Sequence, residues 1–394
     1  MIELEYKISM LGPTRVGKTS LVASILGSTK EEILVGTTLS LKSLDLATEK
    51  KLSTHAKELK SSLNAGSFNA GAVAGTQEPS KFRFSLNNGT DESLLNFTLL
   101  DFPGGWIDPS NRPEQRQNDW EECKKFIHGS SVLIIPVESP VLMEAIAPNQ
   151  KGAIEYNIHS EEIKEIVMDW AKFRNNEHAN EPSTIIFAPV KCESYLTDNG
   201  FTSNKDKSED LKRLVEHYYS EVIQSAEKEF RHNQNSVLNI IYTAVDTIGC
   251  VEIINGQWNH DKKSDFLRFS ADYAIRKNPK INRKGGEDIF IALFKNLLKA
   301  QEIREKTQLD DTSADLSSAD TAAQRAKNEE NLWDGFWGFW GVETERAKKT
   351  TRLNGEVVEL TEKKEAQLEQ LNRLKEIVED IGNQPFSNRT AVLG

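Results

Sequence analysis

Gly12-Pro-Thr-Arg-Val-Gly-Lys-Thr19 decides the reading of this chain. It follows an apolar-rich run from Ile2 to Leu11 and precedes Ser20-Leu-Val-Ala-Ser-Ile-Leu26, whose apolar positions have helical spacing. A strand, a glycine-rich loop and a helix N-terminus in that order give the pattern G-x-x-x-x-G-K-[ST]. The two glycines let backbone N–H groups turn inward around a triphosphate, at the positive end of a helix dipole. Gly12, Arg15, Val16, Gly17, Lys18, Thr19 and Ser20 are therefore the expected phosphate-site residues. Lys18 would reach the outer phosphates, and the Thr19 hydroxyl would hold Mg2+.

Composition narrows what surrounds that loop. At 394 residues the chain exceeds one average domain, so a large domain with an appendage is expected. A net charge of -11 argues against general nucleic-acid binding, which needs clustered Lys and Arg. Cys123, Cys192 and Cys250 are scattered, with neither a disulfide framework nor a zinc-ligand pair. The first residues are acidic and strand-like, unlike a signal peptide, and no apolar run approaches the ~20 residues that span a bilayer. A cytoplasmic protein is expected.

Beyond the first helix, Leu44, Leu52, Leu59 and Leu63 give the 41–63 segment helical periodicity, before an Ala/Gly-rich stretch over 64–75. Two alternating strands follow, 81–86 and 94–100, with Asn87-Asn-Gly89 between them as a hairpin link. The second ends in Asp101-Phe-Pro-Gly104-Gly105, a D-x-x-G. Its carboxylate would hold Mg2+ through water, and the Gly104 N–H would sense the terminal phosphate. Further apolar strands run over 130–136, 183–190 and 237–245, and a last domain helix over 285–298. The third strand of this set ends Thr243-Ala244, and the second leads into Val190-Lys-Cys-Glu193.

Taken in order, GPTRVGKT, Thr, DFPGG, VKCE and TA resemble the motif set of TRAFAC-class GTPases, and more narrowly the bacterial double-GTPase and GTPase-associated group of conflict systems. The resemblance covers residues 1 to about 298. It implies that Lys191 packs over guanine, that the Glu193 carboxylate reads its ring donors, and that Thr243-Ala244 offers backbone to its carbonyl. Val190 stands where the family has Asn or Thr, and Glu193 where it has Asp, which weakens guanine preference and keeps adenine open. The switch threonine that completes the metal site is Thr37 by small-protein spacing or Thr76 by its place before the strand pair; Thr76 is preferred. Gly105 replaces the glutamine that often orients the attacking water. Arg15 lies where guanylate-binding proteins place an internal arginine finger, and Arg112, Glu114 and Gln115 are alternative water-positioning groups.

The expected layout is a P-loop domain over 1–300 with an insertion at about 40–75, a polar linker or exposed helix over 301–332, and an aromatic segment and helical tail over 333–394. Trp333, Phe336, Trp337 and Trp340 would share one face of a helix, although three glycines oppose it. Leu353, Leu360, Gln367, Leu374 and Ile381, with Val357, Lys364, Leu371 and Val378, carry a heptad period that suits a coiled coil or a helix docked on its own domain. The fold expected is α/β, a doubly wound, mainly parallel sheet with an antiparallel edge hairpin. The function expected is a Mg2+-dependent GTPase switch of slow intrinsic turnover that signals to a protein partner through residues 333–381. The alternatives are a nucleotide-gated assembly module with little hydrolysis and an adenine-specific ATPase.

Overall fold

A computed structural model describes residues 5–64, 76–89, 93–199, 205–233, 236–261, 266–276, 279–315 and 372–393. The strands are β1 (Glu5–Met10), β2 (Leu39–Ser43), β3 (Ser80–Asn88), β4 (Ser93–Asp101), β5 (Val132–Glu138), β6 (Ser183–Val190), β7 (Leu238–Thr243), β8 (Val251–His260), β9 (Leu267–Ile275) and β10 (Thr390–Leu393). The helices are α1 (Lys18–Ser28), α2 (Leu46–Asn64), α3 (Gln117–His128), three short turns α4 (Ser139–Met143), α5 (Pro148–Lys151) and α6 (Ile154–Ile158), then α7 (Ser160–Glu177), α8 (Ser208–Tyr218), α9 (Ser220–Arg231) and α10 (Gly286–Asp315), with a last helix over 372–382.

Eight strands form one sheet in the order β10-β7-β6-β5-β1-β4-β3-β2. β4, β1, β5, β6 and β7 run parallel. β5 and β6 are buried almost throughout, and their continuous apolar runs are what a strand covered on both faces requires. One apolar layer joins β1, α1, α10 and the 372–382 helix, and a second packs α3, α7, α8 and α9 on the opposite face. The expected doubly wound sheet is what the chain forms.

The antiparallel share is larger than a single edge hairpin. β3 pairs antiparallel with β4, β2 extends that pairing, and β10 pairs antiparallel with β7 at the other edge. The 41–63 helix is also corrected at its start, because Leu41 pairs opposite Leu86 in β2 and the helix begins only at Leu46. Pairing with a neighbouring strand overrode helical periodicity there.

At the C-terminus, Leu374, Ile377, Val378 and Ile381 are buried in the layer that holds Phe294 and Leu297. The heptad spacing at these positions is thus the face of a docked helix, and β10 closes the sheet behind it. Residues 333–371, including the aromatic segment, lie outside the described residues. No described helix is long and apolar enough to cross a membrane.

Candidate nucleotide site

The phosphate loop sits at the C-terminal end of β1, in the centre of the sheet. Gly17 takes a φ of 110°, a left-handed turn that suits glycine and lets α1 begin at Lys18. The first-turn amides of that 11-residue helix have no partner within it, which leaves them for an anion. Lys18 Nζ curls back to donate to the carbonyls of Gly12 (2.8 Å) and Pro13 (3.3 Å). Burial pulls this ammonium down to about 8; Asp101 opposes that shift and Lys51 adds to it. A buried cation held only by loop carbonyls is poised to gain from a phosphate.

Parallel pairing of β1 with β4 sets Ser9 opposite Leu100 and so carries Asp101 to the mouth of the loop. Asp101 is fully buried. Its Oδ2 accepts from Lys51 Nζ (2.8 Å) and from Thr76 Oγ1 (2.9 Å), while Oδ1 has no hydrogen-bond partner among the described residues. That orphaned oxygen fits a metal-bound water. With the Thr19 and Thr76 hydroxyls, one carboxylate suits Mg2+, which keeps its waters and leans on substrate phosphates. No cluster of three or more His, Cys, Asp or Glu that could hold a metal occurs among the described residues. Thr37 lies elsewhere, two residues before edge strand β2, where its hydroxyl donates to the Leu34 carbonyl (2.8 Å).

Gly104 lies against the phosphate loop. A Cβ built there would stand 2.3 Å from the Pro13 carbonyl carbon and from the Thr14 nitrogen. Both are backbone atoms, so neither loop can yield without moving the other. Gly104→Ala is expected to destabilise the fold by about 1–3 kcal/mol, read as a lower urea midpoint; stability equal to the parent would mean that the loops do not touch. Arg112 is a strut of this turn. It donates to the carbonyls of Trp106 (2.7 Å) and Ile107 (3.2 Å) and stacks 3.8 Å from the Trp120 ring centroid. That leaves it badly placed to position water.

On the base side, Lys191 (φ 59°) donates to Glu138 Oε1 (2.5 Å) and, at longer range, to the Arg15 carbonyl (3.4 Å). It therefore ties the end of β5 to the phosphate loop. Arg15, itself at φ 66°, keeps its side chain exposed. Glu193 is buried, and its Oε1 accepts from the N–H groups of Ile248 and Gly249 (both 3.1 Å). Burial, with Asp246 nearby, holds its carboxyl above the ordinary range. The Ala244 N–H donates to the Arg389 carbonyl (3.1 Å), and the Thr243 and Thr390 hydroxyls meet at 2.5 Å. The expected backbone contact at Ala244 thus has a partner within the protein. Lys51, Ser80 and Arg389 went unread in the sequence because each is a common polar residue outside any motif.

The phosphate loop lies between central strand and helix, the acidic strand beside it and the outer strand antiparallel. This is the fold of a P-loop NTPase. No family model matches the chain, and no curated protein matches it. Among solved structures it is similar to the S. cerevisiae Ski7 GTPase-like domain bound to GDP and inorganic phosphate, at 13% identity and a TM-score of 0.34 over 61% of this chain and 43% of that one. It is also similar to Sup35 complexed with GDP, at 11% identity and a TM-score of 0.22 over 62% of this chain and 38% of that one. The chain spans less than half the length of each. At these values neither likeness bears on function.

Proposed function

We propose that the chain is a magnesium-dependent switch that binds and hydrolyses GTP. The observation that carries this is the convergence of Lys18, Asp101, Thr76 and Gly104 on one loop mouth, with Lys191 bridging from that loop to the base side. Lys18 and the first-turn amides of α1 bind the phosphates. Thr19, Thr76 and Asp101 would hold Mg2+, which when bound neutralises phosphate charge. Gly104 reports the terminal phosphate through its amide. Arg15, exposed on a loop whose carbonyl Lys191 restrains, supplies positive charge to the transition state when a partner orders it. Lys191, Glu193, Thr243 and Ala244 form the base side. For Ala244 that role requires its amide to leave the Arg389 carbonyl.

Cytoplasmic location, signalling to a partner through 333–381 and a place in a bacterial defence system belong to the same proposal, supported by motif order and composition. A nucleotide-gated assembly module with little hydrolysis is favoured by one observation, Gly105 in place of a water-orienting glutamine. The test is equilibrium binding of fluorescent GTP and ATP analogues, with and without Mg2+, to the parent and to Glu193→Ala. GTP binding that needs Mg2+ and falls about 10- to 100-fold in the variant is expected, the effect of one or two charged hydrogen bonds. ATP binding as tight as GTP, untouched by the substitution, would overturn the guanine reading.

A further inference from the structure

Helix α2 reaches the metal side of the site with a charge that no nucleotide-binding motif supplies. Thr48, Lys51, His55 and Leu59 follow one another at helical spacing on a single stripe of this helix. Each is fastened to the core. The Thr48 hydroxyl accepts the Arg83 N–H (2.9 Å), and His55 Nε2 lies 2.9 Å from the hydroxyl of Ser20, next to Thr19. Leu59 is buried beside Ile248 and Cys250. Lys51 Nζ sits 2.8 Å from Asp101 Oδ2 and 2.7 Å from Ser80 Oγ, and 4.5 Å from the centroid of the Phe82 ring. Among these four, only Lys51 binds the carboxylate that the proposed function gives to Mg2+.

We propose that Lys51 is the group through which α2 senses the metal site: its ammonium neutralises Asp101 when no metal is present, and Mg2+ with the triphosphate expels it and loosens the middle of the helix. The inference rests on the nucleotide reading above. Its physical basis is competition between cations for one buried carboxylate. A buried carboxylate without a counter-charge is costly, so Asp101 needs a cation in either state. Lys51 fills that need here, close enough that its charge also bears on Lys18. A divalent ion at the same carboxylate brings two further positive charges beside an ammonium already at hydrogen-bond distance, and repulsion favours departure of the tethered group. Whether the freed ammonium meets solvent or the terminal phosphate, the contact that holds the middle of α2 to β4 is broken. Thr76 donates to the same Oδ2, so the residue that follows the insertion is reset by the same event.

The test is a Mg2+ titration of fluorescent GTP-analogue binding to the full chain and to its Lys51→Met and Lys51→Arg variants, with hydrogen exchange of the 46–64 amides. The Mg2+ midpoint is expected to fall about tenfold in Lys51→Met, the effect of removing one charged hydrogen bond, and to stay within about threefold in Lys51→Arg, which keeps the charge. Exchange in α2 should rise in the parent when Mg2+ and nucleotide are added together, and should start high in Lys51→Met. Equal midpoints in parent and Lys51→Met, with α2 exchange indifferent to Mg2+, would overturn the inference and leave the nucleotide reading standing. No nucleotide binding by the parent at any Mg2+ concentration would overturn both.

Discussion

Lys18→Ala is expected to weaken GTP-analogue binding by two orders of magnitude or more while leaving the nucleotide-free chain at least as stable as the parent at neutral pH. An ammonium that meets two phosphate oxygens makes two charge-assisted hydrogen bonds, each about 1.5–3 kcal/mol, and about 3 kcal/mol is already more than a hundredfold. The stability side has the opposite sign. In the free chain Lys18 has two carbonyl acceptors, is buried and stands near Lys51. Its ammonium is depressed from 10.5 to about 8, so folding disfavours the charge. Between those values the unfolded chain binds more protons, so stability of the free parent rises as pH climbs from about 8 to 10.5. The alanine variant lacks that rise. Equilibrium titration with a fluorescent analogue and thermal melts across this pH range measure both. Binding within threefold of the parent would remove Lys18 from the phosphate site.

The phosphate-loop motif was legible because chemistry fixes its residue types and spacing, and the central strands because burial on both faces leaves β5 and β6 mostly apolar. Edge elements were not legible in the same way. β2 (Leu39–Ser43) is five residues that alternate weakly, and the helical period beside it hid the strand. Among the described residues β8 and β9 pair only with each other and expose much of their length; β8 carries neither a long run nor an alternation, and the alternation of Leu267, Phe269, Ala271 and Tyr273 in β9 went unread because no neighbouring core strand announces it. The tail stayed open between two readings for a different reason. A helix docked on α10 and one in a coiled coil both need an apolar stripe, and Leu374, Val378 and Ile381 satisfy either. On the site, Lys51 reads as the solvated face of a polar helix, since nothing local marks a lysine that meets an aspartate 50 positions on. Glu193 was legible as a motif carboxylate, but not the backbone amides of Ile248 and Gly249 that one of its oxygens accepts.

Arg389→Ala is expected to cost about 3–5 kcal/mol of folding stability, the usual penalty for stripping one partner from a buried ion pair. Arg389 precedes β10, and its side chain reaches back to Ala244 and Asp246, just after β7. Nη2 donates to Asp246 Oδ2 (2.7 Å) and to Asp198 Oδ1, and Nε donates to Asp198 Oδ2 (2.7 Å). Asp246 is fully buried, and the Asn199 amide that also serves it (2.6 Å) cannot neutralise it. Burial outweighs these partners and holds the Asp246 carboxyl above its ordinary value. Its favourable share is therefore complete only below the unfolded value of about 4 and is lost as pH rises through the folded one. Loss of Arg389 raises the folded value further. The deficit of the variant should be greatest at neutral pH and shrink as acid protonates Asp246 in both states. Urea unfolding at pH 7 and pH 5 measures this, and Asp246→Asn in the same chain should restore part of the loss. A deficit below about 1 kcal/mol at pH 7, the level of an exposed pair, would show that the C-terminal strand is not clasped through this charge. A large deficit would show that β10 is held to the sheet by this charge as well as by its pairing with β7, since the Arg389 backbone and side chain both engage Ala244.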